Sequence, residues 1–72
     1  MTEPTNAGLR HSVGLTQRQV AAEIGIPYQN IQEWERGLRP LRTHYPKMAK
    51  LFKCTIDVLY EAHENTITKG ED

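Results

Sequence analysis

Seventy-two residues at 8.3 kDa correspond to one small domain, a size at which folding buries only ~60% of the surface the unfolded chain exposes, and this argues against a deep enzyme cleft or a second domain. The composition is globular, at 38% hydrophobic and 25% charged. No apolar run reaches the ~18 residues of a membrane helix, no signal-peptide pattern stands at the start, and the single Cys54 cannot close an internal disulfide, so the expected compartment is the cytoplasm. The net charge is zero but unevenly placed: residues 10–53 carry eight basic against three acidic side chains, a net of +5, and residues 54–72 one basic against five acidic, a net of −4. A basic body with an acidic end suits a polyanionic partner, and equally an ordinary surface with a solubilising tail.

In chain order the punctuation is helical, with no strand-like alternation. Thr2 followed by Pro4 suggests a first helix starting near the N-terminus, with Leu9 and Val13 one turn apart on its buried side and Gly14 stopping it. Thr16 and Gln19 fit a capping box for a second helix over about Gln17 to Ile24. Its Val20, Ala21 and Ile24 share one face, and Gly25 sits at the left-handed cap. After Pro27 comes a third helix, about Tyr28 to Arg36. Ile31 and Trp34 point inward, while Gln29, Gln32, Glu33 and Arg36 make a polar outer face; Gly37 ends it.

Thr43 is the predicted cap of a fourth helix, with Pro46 in its first turn and Tyr45, Met48, Ala49 and Phe52 as the inward stripe. Thr55 is the predicted cap of a short fifth helix with Ile56 and Leu59 facing in and Asp57 complementing its dipole. The expected organisation is a folded domain over 1–62 and a polar, acidic, disordered tail over 63–72. Cys54 is expected to fill a small apolar slot between helices four and five. With His11, His44 and His63 it lacks zinc-like spacing, so no metal site is expected, and with no glycine-rich phosphate loop or carboxylate pair, neither is a cofactor or enzyme activity.

Two short helices joined by a glycine-containing turn, the second with a polar outer face, describe a helix-turn-helix. In that geometry the first helix crosses the DNA backbone and the early residues of the second meet base edges in the major groove. Gly14-Leu15-Thr16-Gln17, then Val20-Ala21, Ile24-Gly25, Ile31 and Trp34-Glu35-Arg36-Gly37, continuing through Ala49, Phe52, Ile56, Asp57 and Leu59, resemble the phage repressor and Cro family, the xenobiotic-response-element-type helix-turn-helix. The likeness covers roughly Leu9 to Tyr60. It implies an all-α, five-helix, lambda-repressor-like domain that binds double-stranded operator DNA as a homodimer and regulates transcription, with no membrane and no small-molecule ligand. Such a protein would sit with the nucleoid. An antitoxin-like or antirepressor-like protein-interaction module is the alternative.

On this reading Tyr28, Gln29, Gln32 and Glu33 are the candidate base contacts. Gln29 can bond adenine in a bidentate pair and Glu33 can accept from a cytosine amine or repel a wrong sequence. Thr16, Gln17, Arg36, Arg39, Arg42 and Thr43 are the candidate phosphate contacts. The resemblance further implies a partly buried ion pair between Arg10 and Glu35. Val58 and Tyr60, left over once Ile56 and Leu59 are assigned inward, are the candidate dimer contacts. Pro27 stands where the family usually has a side-chain cap, and Thr2 and Asn6 replace apolar residues, which predicts a loosely held first helix.

Overall fold

Thr5 begins the first helix: its Oγ1 accepts from the Gly8 amide at 3.0 Å, and helix α1 then runs Asn6–Ser12. The computed structural model describes residues 4–70, so Thr2, the start suggested by sequence, lies outside the described residues. Four further helices follow: α2 Gln17–Ile24, α3 Tyr28–Glu35, α4 Tyr45–Phe52 and α5 Ile56–Gly70, with a 3-10 turn at Arg42–His44 before α4. No strand occurs among the described residues.

Local chemistry accounts for α2 and α3. The capping box closes in both directions, Gln19 N to Thr16 Oγ1 at 3.1 Å and Thr16 N to Gln19 Oε1 at 2.8 Å. Gly25, at φ +85, ends α2 in the left-handed conformation that glycine adopts without a Cβ penalty. Pro27 enters α3 with a suitable φ of −61 but no side-chain cap bond. At the far end Leu38 N bonds Glu33 O at 2.8 Å and Gly37 N bonds Trp34 O at 3.0 Å, a Schellman closure around Gly37.

The cap assigned to Thr43 is not there. Thr43 lies exposed inside the 3-10 turn, and α4 starts after His44 with no side-chain cap bond. The cause is Leu41, which turns inward into the core at φ +55. A left-handed leucine costs ~1–2 kcal/mol, and burying the side chain, worth ~1.5–3 kcal/mol, offsets it. The chain can then rejoin a helix only through a tight turn.

The core is one cluster in which Val20, Ile31, Trp34, Met48, Leu59 and Ala62 are wholly buried, and Trp34 stacks on Phe52 with ring centroids 5.9 Å apart. Cys54 packs half-buried against this cluster, and burial pushes its thiol pKa up.

The largest departure from the sequence reading is α5. Its fifteen residues continue through the segment expected to be a disordered tail, up to Gly70. Leu59, Ala62, His63 and Thr66 are buried at i, i+3, i+4, i+7, so the expected boundary at residue 62 falls inside a packed stripe. Ile56, expected inward, is 41% exposed. The polar members of the stripe are buried because α1 supplies their partners: Asn6 N donates to Thr66 Oγ1 at 2.9 Å, and Asn6 Nδ2 lies 3.1 Å from His63 Nδ1 and 2.6 Å from Trp34 O. Asn6 therefore clamps α1 to α3 and α5, where a loosely held helix was expected.

Candidate nucleic-acid interface

The sequence of α3 divides it into two faces, and the fold keeps them apart. Ile31 and Trp34 are buried, whereas Gln29 and Arg36 are exposed and Gln32 and Glu33 half-buried beside them, a continuous polar strip on the outer side of the helix. The N-terminus of α2 is tied to this helix through Glu35. Arg10 Nε and Nη2 donate to Glu35 Oε2 and Oε1 at 2.5 and 3.2 Å, and Gln17 Nε2 donates to Oε1 at 3.0 Å. Arg10 Nη1 also donates to Leu15 O at 2.9 Å and so holds the loop ahead of α2. The Arg10 and Glu35 side chains are only 13% and 8% exposed, which makes this a largely desolvated, bidentate pair.

Each candidate base contact has a defined environment. Tyr28 is held from two sides: the Arg18 guanidinium lies 4.5 Å from its ring centroid, and its hydroxyl accepts from Gln32 Nε2 at 3.1 Å. Gln32 Oε1 and the Tyr28 hydroxyl proton remain for an outside partner. Gln29 is exposed, with no hydrogen bond from its side chain among the described residues. Glu33 Oε1 accepts from Arg39 Nε at 2.8 Å and forms an ion pair with its Nη2 2.7 Å away. Arg18 had no assigned role from sequence; a cation one helix away from an aromatic ring leaves no local signal.

The candidate phosphate groups are more scattered. Thr16 Oγ1 is engaged in the α2 cap and Gln17 in the Glu35 network, and each can still meet a phosphate by its remaining polar atoms. Arg36 is exposed without an ion-pair partner among the described residues, and Thr43 is exposed on the 3-10 turn. Arg42 is exposed with its guanidinium 5.9 Å from the Tyr60 ring centroid. Arg39 is engaged by Glu33.

The pair assigned to dimer contacts divides. Val58 is half-buried against the core, while Tyr60 is 46% exposed, its ring edge-on to Tyr45 with centroids 5.0 Å apart. Helical spacing places Ile56, Tyr60 and Ile67 on one flank of the buried stripe and Val58 on the other. The exposed apolar flank of α5 is thus Ile56, Tyr60 and Ile67, with Ile56 outward where Val58 is half-buried. The sequence reading exchanged these two because it took Ile56 and Leu59 as the centre of a short stripe instead of the end of a long one.

A protein-family model described as helix-turn-helix matches residues 9–59, from the middle of α1 into α5 and across the whole α2–α3 pair. No curated protein and no solved structure matches the chain. No helix among the described residues is long and apolar enough to cross a membrane.

Proposed function

Since the chain belongs to this helix-turn-helix family, whose members are DNA-binding regulators of the Cro/C1 kind, we propose that it reads operator DNA through the major groove as a homodimer and acts as a small repressor in the cytoplasm. The observation that carries this reading is the outer strip of α3, Gln29, Gln32, Glu33 and Arg36. It stands opposite the buried Ile31 and Trp34 on a helix locked to α2 through Glu35. A polar strip on a fixed helix, with Gln32 and Glu33 already oriented by Tyr28 and Arg39, suits base edges because less side-chain freedom is lost on binding. Gln29 and Gln32 with Tyr28 are its readers. Thr16, Gln17, Arg36, Arg42 and Thr43 supply the phosphate grip around them.

Dimerisation by the α5 flank is supported by three exposed apolar side chains, Ile56, Tyr60 and Ile67. The patch is small, so two-fold pairing is weak in free protein and strengthened on half-sites about one helical turn apart.

Selection of random duplex DNA against the purified protein tests the proposal, and a recovered palindrome supports it. Gln29→Ala then costs ~1–3 kcal/mol on that operator and relaxes one base pair per half-site. Arg36→Ala weakens operator and scrambled duplex alike and lowers the salt slope by about one per protomer. Binding without sequence discrimination, or insensitive to salt, would favour a protein-interaction module instead.

A further inference from the structure

We propose that Arg39 is a base reader for guanine, aimed by Glu33, and not the phosphate contact its loop position suggests. The inference rests on the reading of α3 as the major-groove helix. Glu33 lies one turn after Gln29 on the outer strip, and its Oε1 takes both Nε and Nη2 of Arg39. Those two nitrogens form one long edge of the guanidinium. Nη1 and the second Nη2 proton, the end of the fork, make no bond among the described residues. Two parallel N–H donors at the end of a planar fork match O6 and N7 of guanine in the major groove.

The backbone supports the same assignment. The Schellman closure, with Leu38 N on Glu33 O at 2.8 Å, folds the chain back beside the last turn of α3, and Pro40 restricts Arg39 from the other side. Arg39 is thus held next to the reading strip by its main chain as well as by its side chain. Charge argues against a phosphate role. Arg39 bound to the Glu33 carboxylate is a neutral unit that displaces few counterions, whereas the exposed Arg36, with no ion pair among the described residues, displaces them fully. Glu33, in turn, is a positioning residue: with Arg39 neutralising it, the carboxylate no longer repels the DNA backbone.

The test uses the full-length protein and the duplex recovered by selection, with each guanine replaced in turn by 7-deazaguanine, which lacks the N7 acceptor. For the wild type, one such replacement per half-site weakens binding about tenfold or more. Arg39→Ala loses that discrimination and is indifferent to the replacement, while Arg39→Lys, which keeps the charge but not the fork, retains at most part of it. Glu33→Gln relaxes the same base pair, and Glu33→Gln with Arg39→Ala is no worse than Arg39→Ala alone. All four variants change only the half-exposed Glu33 and Arg39, and circular dichroism confirms their folding. If Arg39→Lys retains the wild-type guanine preference, if Arg39→Ala weakens operator and scrambled duplex equally, or if no guanine in the operator responds to Arg39, the inference is overturned. The DNA-reading proposal survives each of those results provided Gln29→Ala still relaxes its own base pair.

Discussion

Asn6 and His63, 57 residues apart in sequence, meet with Asn6 Nδ2 3.1 Å from His63 Nδ1 inside the protein. The same Nδ2 donates to the Trp34 carbonyl at 2.6 Å, which sets the orientation of the amide: its NH2 end faces both acceptors. His63 Nδ1 must therefore accept, so the ring is neutral with its proton on Nε2. One side chain of α1 is thereby joined to the last turn of α3 and to the middle of α5.

Asn6→Ala removes the side-chain donor to the buried His63 Nδ1 and one of the bonds to Trp34 O, which keeps the Gly37 amide. The His63 acceptor left unpaired costs about 1–3 kcal/mol, so the variant is destabilised by that order. Urea denaturation measures it. A midpoint equal to the wild type's would show that the clamp contributes nothing to stability.

The same contact predicts acid sensitivity. Burial holds the His63 imidazole below its ordinary 6.5, Arg42 acts in the same direction, and Glu64 opposes both. With a depressed pKa in the folded state, the unfolded chain takes up the proton first as pH falls. The His63 contribution is complete above about pH 6.5 and is lost below it at up to ~1.4 kcal/mol per pH unit until the folded-state pKa is passed. His63→Asn keeps an acceptor near the Nδ1 position and does not titrate, so its stability is flatter across this window. Parallel slopes for the two proteins between pH 5 and 7.5 would rule His63 out as the source.

Arg10→Met leaves the 8%-exposed Glu35 carboxylate with only Gln17 as a side-chain donor. The loss is roughly 3–5 kcal/mol, as for a buried pair broken on one side, and replacing both Arg10 and Glu35 by methionine is much less harmful. The double variant nonetheless frees Gln17 and loosens the α2 N-terminus, so its DNA affinity falls further than its stability. Equal melting of single and double variants would mean that the two charges are uncoupled.

Gly25 and Gly37 share the left-handed conformation, at φ +85 and +80, but not the same surroundings. A Cβ on Gly25 meets nothing within 4 Å, whereas one on Gly37 stands 3.2 Å from the Ile67 Cα of α5. Gly25→Ala therefore carries only the ~1–2 kcal/mol of a left-handed non-glycine residue. Gly37→Ala adds a contact with helix backbone that cannot swing away, so its thermal midpoint falls further. A larger drop for Gly25→Ala would contradict the packing of α5 on the end of α3.

The sequence by itself determined every feature whose cause lies within a few residues. The Thr16–Gln19 capping box, the glycine caps at Gly25 and Gly37, the inward Ile31 and Trp34 and the polar outer strip of α3 are all effects of i, i+3 and i+4 spacing. The family followed from the same local signals. What only the tertiary structure decided are positions where a polar residue finds its partner at long range. Asn6, His63 and Thr66 look like surface or tail residues because their neighbours in sequence offer nothing to satisfy them, and a polar group is buried only when a partner is supplied. That partner came from the opposite end of the chain and extended α5 through a segment whose composition suggests a solvated tail. Leu41 displaced the Thr43 cap in the same way, since the depth of the core, not the local turn preference, determined where the backbone reversed. The Glu33–Arg39 pair likewise needed the chain to fold back past Gly37 before a carboxylate on α3 could meet a loop arginine.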